Sequence, residues 1–152
     1  MNSIFPVICC EGIEESTAFY ADLLGLEVTF ESGWYTLLRA PEHAQAQLGL
    51  VLREHPSVPE AFRRPPQGVI VTVEVPDVDV VYARARAAGR PLAQELRDEE
   101  FGQRHFMVAD PDGALVDVVM SIPLSPTFAR EVAGLRRRRR APTTSAHQEQ
   151  EP

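Results

Sequence analysis

Asp117 is the residue in this chain that most needs a chemical explanation. It stands alone in an apolar stretch, Ala114-Leu115-Val116-Asp117-Val118-Val119-Met120. A carboxylate among such neighbours is costly to bury unless a cation, a metal ion or the water of a cavity lies beside it. The stretch just upstream offers two partners, Arg104 and His105. With Arg104, Asp117 makes a structural ion pair. With His105 it makes an acid–base couple, in which the carboxylate orients an imidazole that takes or gives a proton. A half-buried, hydrogen-bonded histidine is the commoner use of such a residue. Glu74, in Val69-Ile70-Val71-Thr72-Val73-Glu74-Val75, is a third candidate and serves equally as a solvated edge residue. Cys9 and Cys10 are the two cysteines. Neighbours in a strand point to opposite faces, so a disulfide between them is disfavoured and two small apolar side chains are expected.

Which partner Asp117 meets depends on one turn. Asp110-Pro111-Asp112-Gly113 is turn chemistry between two β-branched runs, so 101–120 reads as a β-hairpin. A plain loop of residues 110–113 sets Ala109 against Ala114 and Phe106 against Asp117, with Arg104 on the diagonal of the same face. A bulge after Gly113 shifts the register by one residue and swaps the faces, which brings Gln103 and His105 to Asp117 instead.

The elements that carry these residues repeat. Ser3 to Cys10 reads as a strand. A helix follows from Gly12, with Ile13, Thr17, Tyr20, Leu23 and Leu24 on one face and Gly25 as its end. Leu26–Phe30, Trp34–Arg39 and Gln47–Arg53 read as strands, with a loop over Ala40–Ala46 that contains His43. The segment 54–67 holds four prolines and reads as a connector. The plan then recurs: a strand over Gly68–Val75 with period-two alternation, a helix capped by Asp77 with Val78, Val81, Tyr82, Ala85 and Ala88 on its apolar face, a strand over Leu92–Leu96, a loop over Arg97–Phe101, and the hairpin. A duplicated unit of one strand, one helix and three strands is an organising signal for the whole fold. Segment 122–135 has a possible last helix, with Leu124, Phe128, Val132 and Leu135 on one face, and 136–152 reads as a disordered tail.

Composition narrows the function. The chain has 152 residues, 44% hydrophobic and 24% charged, which suits one ordinary globular domain. Its net charge is −7, unevenly spread, since residues 136–140 are five arginines. The 135 residues before that run carry ten arginines against twenty acids, a net of −10. An acidic body argues against nucleic acid, whose binding rests on neutralised phosphates. The five-arginine run reads as a solvated end in preference to a contact with nucleic acid or acidic lipid. No apolar run reaches membrane-spanning length, and the first residues lack the pattern of a signal peptide, so a cytoplasmic location is expected and no membrane partner.

Phe19-Tyr20-Ala21-Asp22-Leu23-Leu24-Gly25-Leu26-Glu27-Val28, the twofold plan and Val108-Ala109-Asp110-Pro111-Asp112-Gly113-Ala114-Leu115-Val116-Asp117-Val118-Val119 together resemble the vicinal oxygen chelate superfamily of glyoxalases, bleomycin-resistance proteins and dioxygenases. The resemblance covers about residues 3–121. It implies an α+β fold in which two βαβββ modules, 3–53 and 68–121, curl into a cup-shaped mixed sheet around a pocket, and it implies a homodimer. Metal-using members place ligands on the first and last strands of each module. Here those places fall on Phe5, Ile70, Asp117 and, within a residue, Leu50, so three of four are apolar. A divalent metal needs N, O or S donors, and catalytic sites commonly use three protein ligands. The resemblance therefore points to the metal-free bleomycin-resistance type, with no cofactor, which binds a small planar or aromatic molecule and includes antibiotic sequestration. An enzyme of lyase, isomerase or dioxygenase class is the alternative. The expected pocket lining is Phe5, Val7, Trp34, Tyr35, Leu50, Ile70, Thr72, Arg104, Phe106 and Asp117, with His105, Asp117 and Glu74 as the candidates for catalysis.

Overall fold

The computed structural model describes residues 3–140. The chain runs β1 (Val7–Cys10), α1 (Ile13–Leu24), β2 (Glu27–Ser32), β3 (Tyr35–Ala40), β4 (His43–Leu52), a 3-10 turn (Glu60–Phe62), β5 (Ile70–Glu74), α2 (Val78–Ala87), β6 (Leu92–Glu99), β7 (Gln103–Ala109), β8 (Leu115–Ser121) and α3 (Pro126–Arg140). This is the expected α+β architecture, one strand, one helix and three strands, twice. Each module is its own four-stranded mixed sheet, ordered β1-β4-β3-β2 and β5-β8-β7-β6. In each, the first strand pairs parallel to the last, because the helix carries the chain across the sheet.

One face of each sheet packs on the helices. Ile8, Cys10, Leu38, Leu48 and Leu50 meet Phe19, Tyr20 and Leu23 of α1, while Phe106, Val108, Val116 and Val118 meet Val78, Val81 and Ala85 of α2, and all belong to one continuous core. The opposite face of each sheet is the cup face. The buried stripe of α1 is Ser16, Phe19, Tyr20 and Leu23, slightly rotated from the expected one. Ser16 is buried because its hydroxyl has a partner across the module boundary.

That boundary is held by the Asp110–Gly113 turn. The Asp112 carboxylate accepts the Glu11 N–H at 2.8 Å, the Ser16 hydroxyl at 3.1 Å and the Arg53 guanidinium at 2.9 Å. The N-cap of α1, Gly12, has no side chain of its own to offer, so a carboxylate from the second module lies at that positive helix end. Beside it Tyr20 donates its hydroxyl to Asp110 at 2.8 Å. Burial raises the Asp110 carboxyl above its ordinary range. It also pushes the Cys10 thiol up to about 11, with the Asp112 charge adding to the effect, so Cys10 stays a neutral core side chain. Arg84 donates to the Leu23 carbonyl at 2.9 Å, and Arg90 lies 4.5 Å over the Phe19 ring, so α2 is tied to α1 as well.

The hairpin register differs from the plain-loop expectation. Ala109 pairs with Leu115, and Met107, not Phe106, stands opposite Asp117. The reason is local. Asp110 Oδ1 accepts the N–H groups of Asp112 and Ala114, at 3.0 and 2.7 Å, and Gly113 takes a φ of 85°. Ala114 is thereby drawn into the turn, the loop gains one residue, and every side chain of β7 changes face. Four boundaries also move, the first being β1, which begins at Val7 and not at Ser3. β4 begins at His43 and β6 runs to Glu99, where loops were expected. Both extensions carry polar, partly exposed residues, which give no apolar signal. α3 runs through Arg140, because arginine sustains a helix whose start is capped by Ser125. So 136–140 are helical, and the rest of the tail, 141–152, lies outside the described residues.

Candidate functional site

The second module places a polar cluster on its cup face. His105 and Asp117 are 4% and 6% exposed, and their Nδ1 and Oδ1 are 2.8 Å apart. The other ring nitrogen, Nε2, lies 2.9 Å from the Gln94 amide and 3.3 Å from Glu99 Oε1. In one tautomer Gln94 donates to Nε2 and the Nδ1 proton is donated to Asp117; with the proton on Nε2, it is donated to Glu99 instead. Phe101 meets the ring edge to face at 6.3 Å. Hydrogen bonding from His105, then from Arg97, holds the Glu99 carboxyl below the usual range. Chemically this is an oriented imidazole of the acid–base kind, with both of its nitrogens already engaged within the protein.

Arg104 is not the cation of Asp117. It leaves the cup face with the shifted register and grips Asp79 at 2.7 and 2.9 Å and Asp98 at 2.7 Å. That fork clamps the first turn of α2 to β6. Phe106 likewise turns inward and is fully buried, edge to face with Tyr82 at 5.3 Å. Leu50 is also fully buried on the helix side. It is the neighbour of the cup-facing position, not that position itself.

The first module carries a cavity of about 400 Å³, lined by Val7, Cys9, Trp34, Tyr35, Val51, Ser57, Val58 and Pro59. Its size is that of a small-molecule site. Three expected lining residues, Val7, Trp34 and Tyr35, meet there. Gly49 is why they can. A Cβ at that position would lie 2.7 Å from the Tyr35 hydroxyl and 2.9 Å from Val7 Cγ2. The absent side chain leaves the phenol room to lie flat across β4. Trp34 stands 5.8 Å from Tyr35 and stacks on His55, centroids 3.9 Å apart and planes 4° off parallel. The remaining expected residues lie away from it, Thr72 and Glu74 together lining a separate cavity of about 330 Å³. Phe5 is half-buried ahead of β1, Ile70 and Thr72 are exposed on β5, and Glu74 accepts from the Ser121 hydroxyl at 2.6 Å.

The residues present do not fit the metal centre that the resemblance implies. Val7 pairs with Gly49 just as Thr72 pairs with Asp117, each first-strand residue lying five before its helix cap. The counterpart of Asp117 is therefore Gly49, which has no donor at all. Phe5 and Ile70 are apolar, and Asp117 is already bonded to His105. Among the described residues, no group of three or more His, Cys, Asp or Glu side chains is disposed to hold a metal ion.

His55, Val58 and Pro59 were not identifiable as site residues, because they belong to the proline-rich connector. It turns after β4 through the N–H of His55 to the Leu52 carbonyl and the N–H of Val58 to the His55 carbonyl, and meets the first module through the His55–Trp34 stack. Gln94 and Glu99 were hidden by the bulges of β6, which carry the edge strand's polar side chains onto His105. Gly49 had a usable signal, a glycine within an otherwise regular strand, which marks close approach of another group.

No curated protein matches the chain. Solved structures match its fold. A protein of unknown function from Agrobacterium tumefaciens strain C58 superimposes with a TM-score of 0.63 at 26% identity, over 80% of this chain and 95% of the other. A glyoxalase/bleomycin resistance protein/dioxygenase superfamily member from Sphaerobacter thermophilus gives 0.66 at 24%, over 80% and 98%. A lactoylglutathione lyase from Agrobacterium tumefaciens gives 0.61 at 21%, over 79% and 94%. The family model described as Glyoxalase/Bleomycin resistance protein/Dioxygenase superfamily matches residues 4–118. With the duplicated fold and a family match over most of its length, the chain belongs to the glyoxalase/bleomycin resistance protein/dioxygenase superfamily.

Proposed function

We propose that this protein binds a small planar, aromatic molecule, without metal, in the first-module cavity beside Trp34 and Tyr35, and that it sequesters that molecule, an antibiotic being one such ligand. The observation that carries this reading is the cradle at Gly49, where the missing Cβ seats the Tyr35 ring and its hydroxyl in an otherwise largely apolar wall. An aromatic wall with one polar group is the furniture of a site that stacks a ring and hydrogen-bonds its edge. Trp34 is the chain's one tryptophan, so ligand binding reports directly in its emission. A screen of planar antibiotics and aromatic metabolites is expected to yield a ligand that quenches it. Trp34→Ala is expected to weaken that ligand, measured by calorimetry, by about fivefold or more, given roughly 1–3 kcal/mol for stacking a flat ring on an aromatic side chain. Unchanged affinity in Trp34→Ala would remove the reading.

A second reading rests on the 2.8 Å His105–Asp117 bond, and makes the protein a metal-free enzyme with His105 as base and Asp117 orienting it. The two part on one comparison. Sequestration leaves the ligand unchanged in mass and His105→Ala binding it normally. Catalysis gives a product of altered mass, and His105→Ala abolishes it.

A further inference from the structure

We propose that the His55 imidazole is a gate that occupies the stacking surface of Trp34 until a ligand ring replaces it. The inference rests on the cavity being an aromatic site. His55 lies parallel to the indole at 3.9 Å, the geometry that a bound planar ring itself adopts. Its own tethers are short-range: Nδ1 meets the Ser57 hydroxyl at 2.8 Å and the Ser57 N–H at 3.2 Å, and its backbone N–H meets the Leu52 carbonyl at 3.0 Å. Among the described residues, no hydrogen bond or ring stacking ties the imidazole to the second module. His55 also lines a separate cavity of about 520 Å³ with Cys10, Glu11, Leu52, Arg53, Glu54 and Pro56, whereas Trp34 lines the smaller one. One member of the stacked pair thus lines each cavity, so an imidazole that turns out opens the first cavity toward the second. The ligand class follows. It is a fused planar ring system, longer than one ring, that covers the indole face and extends past the position of His55.

The gate competes with the ligand, and that sets the sign of each substitution. The probe is proflavine, a planar cation suited to a body of net −10, and its binding is followed by its own fluorescence anisotropy. His55→Ala, which removes the competitor, is expected to tighten proflavine by about two- to tenfold, the worth of one aromatic pair. His55→Phe, a better competitor for the indole, is expected to weaken it by several-fold. If His55 were instead a wall that holds the ligand, the order would reverse, alanine weakening and phenylalanine preserving affinity, and the inference would fall. Proton NMR gives a second readout in the unaltered chain. The His55 ring C–H signals, identified by their loss in His55→Ala, are expected upfield from the indole ring current and should move back downfield as proflavine is added. Signals that stay upfield at saturation would also sink the gate. Trp34→Ala separates the two ideas. If it abolishes proflavine binding while the His55 results fail, the cavity stands and the gate does not. If it leaves binding unchanged, the cavity reading itself is lost.

Discussion

Asp112→Ala is expected to destabilise the fold by about 3–5 kcal/mol, the cost of removing one partner from a buried charge pair. Asp112 has a side chain 4% exposed, and that of Arg53 is 16% exposed. Among the described residues, the substitution leaves the Arg53 charge with the weak, solvent-facing contact to Glu11 at 3.5 Å as its remaining ion pair. It also strips the start of α1 of the Asp112 carboxylate that accepts the Glu11 N–H and leaves Ser16 buried without that acceptor. The three losses share one cause, so they will not add, and the range stands for the whole. Urea unfolding followed by Trp34 emission measures it, and the melting temperature should fall by about 10 °C. Asp112→Asn keeps an acceptor for the Glu11 N–H and should cost less. A loss below about 1 kcal/mol for alanine would mean that the turn does not hold the modules together.

Phe106→Ala separates the two registers of the hairpin. In the observed register the ring is fully buried between β7 and α2, and truncation should cost about 3–5 kcal/mol, as large core deletions do. Binding in the first-module cavity should be unchanged among the molecules that remain folded. In the plain-loop register Phe106 would line the cup, and the same substitution would cost ligand affinity and little stability. Thermal unfolding and a ligand titration on the same sample decide between them.

The duplication, the caps at Gly12, Gly25 and Asp77 and the helix faces are legible because each is a local pattern that the backbone obeys within a few residues. The register was not legible, since it turns on whether the Asp110 side chain captures Ala114 N–H, a contact of 2.7 Å that no spacing rule announces. That single bond decided the fate of three residues. It took Arg104 and Phe106 off the cup face and put His105 beside Asp117. In the first module Val7, Trp34 and Tyr35 could be placed by alternation and aromatic character, and the structure brings them together. His55 could not, because a connector has no periodicity and its landing place is set by tertiary contact.

The segment after β8 has a practical consequence. Ile122 donates its N–H to the Gly102 carbonyl at 2.9 Å, Ser125 donates to the Glu100 carbonyl at 2.9 Å, and the Phe128 ring meets Phe101 at 6.3 Å. Leu124 presses on Gly102 so closely that a Cβ there would lie 2.9 Å from its Cδ2. The unit that folds therefore outruns the stretch matched by the family model, which stops at 118. A chain trimmed to that boundary would lose part of β8, leave the tip of the β6–β7 hairpin unbraced and bare the aromatic ring that shields His105. Anyone cutting this domain for expression should place the scissors beyond Phe128.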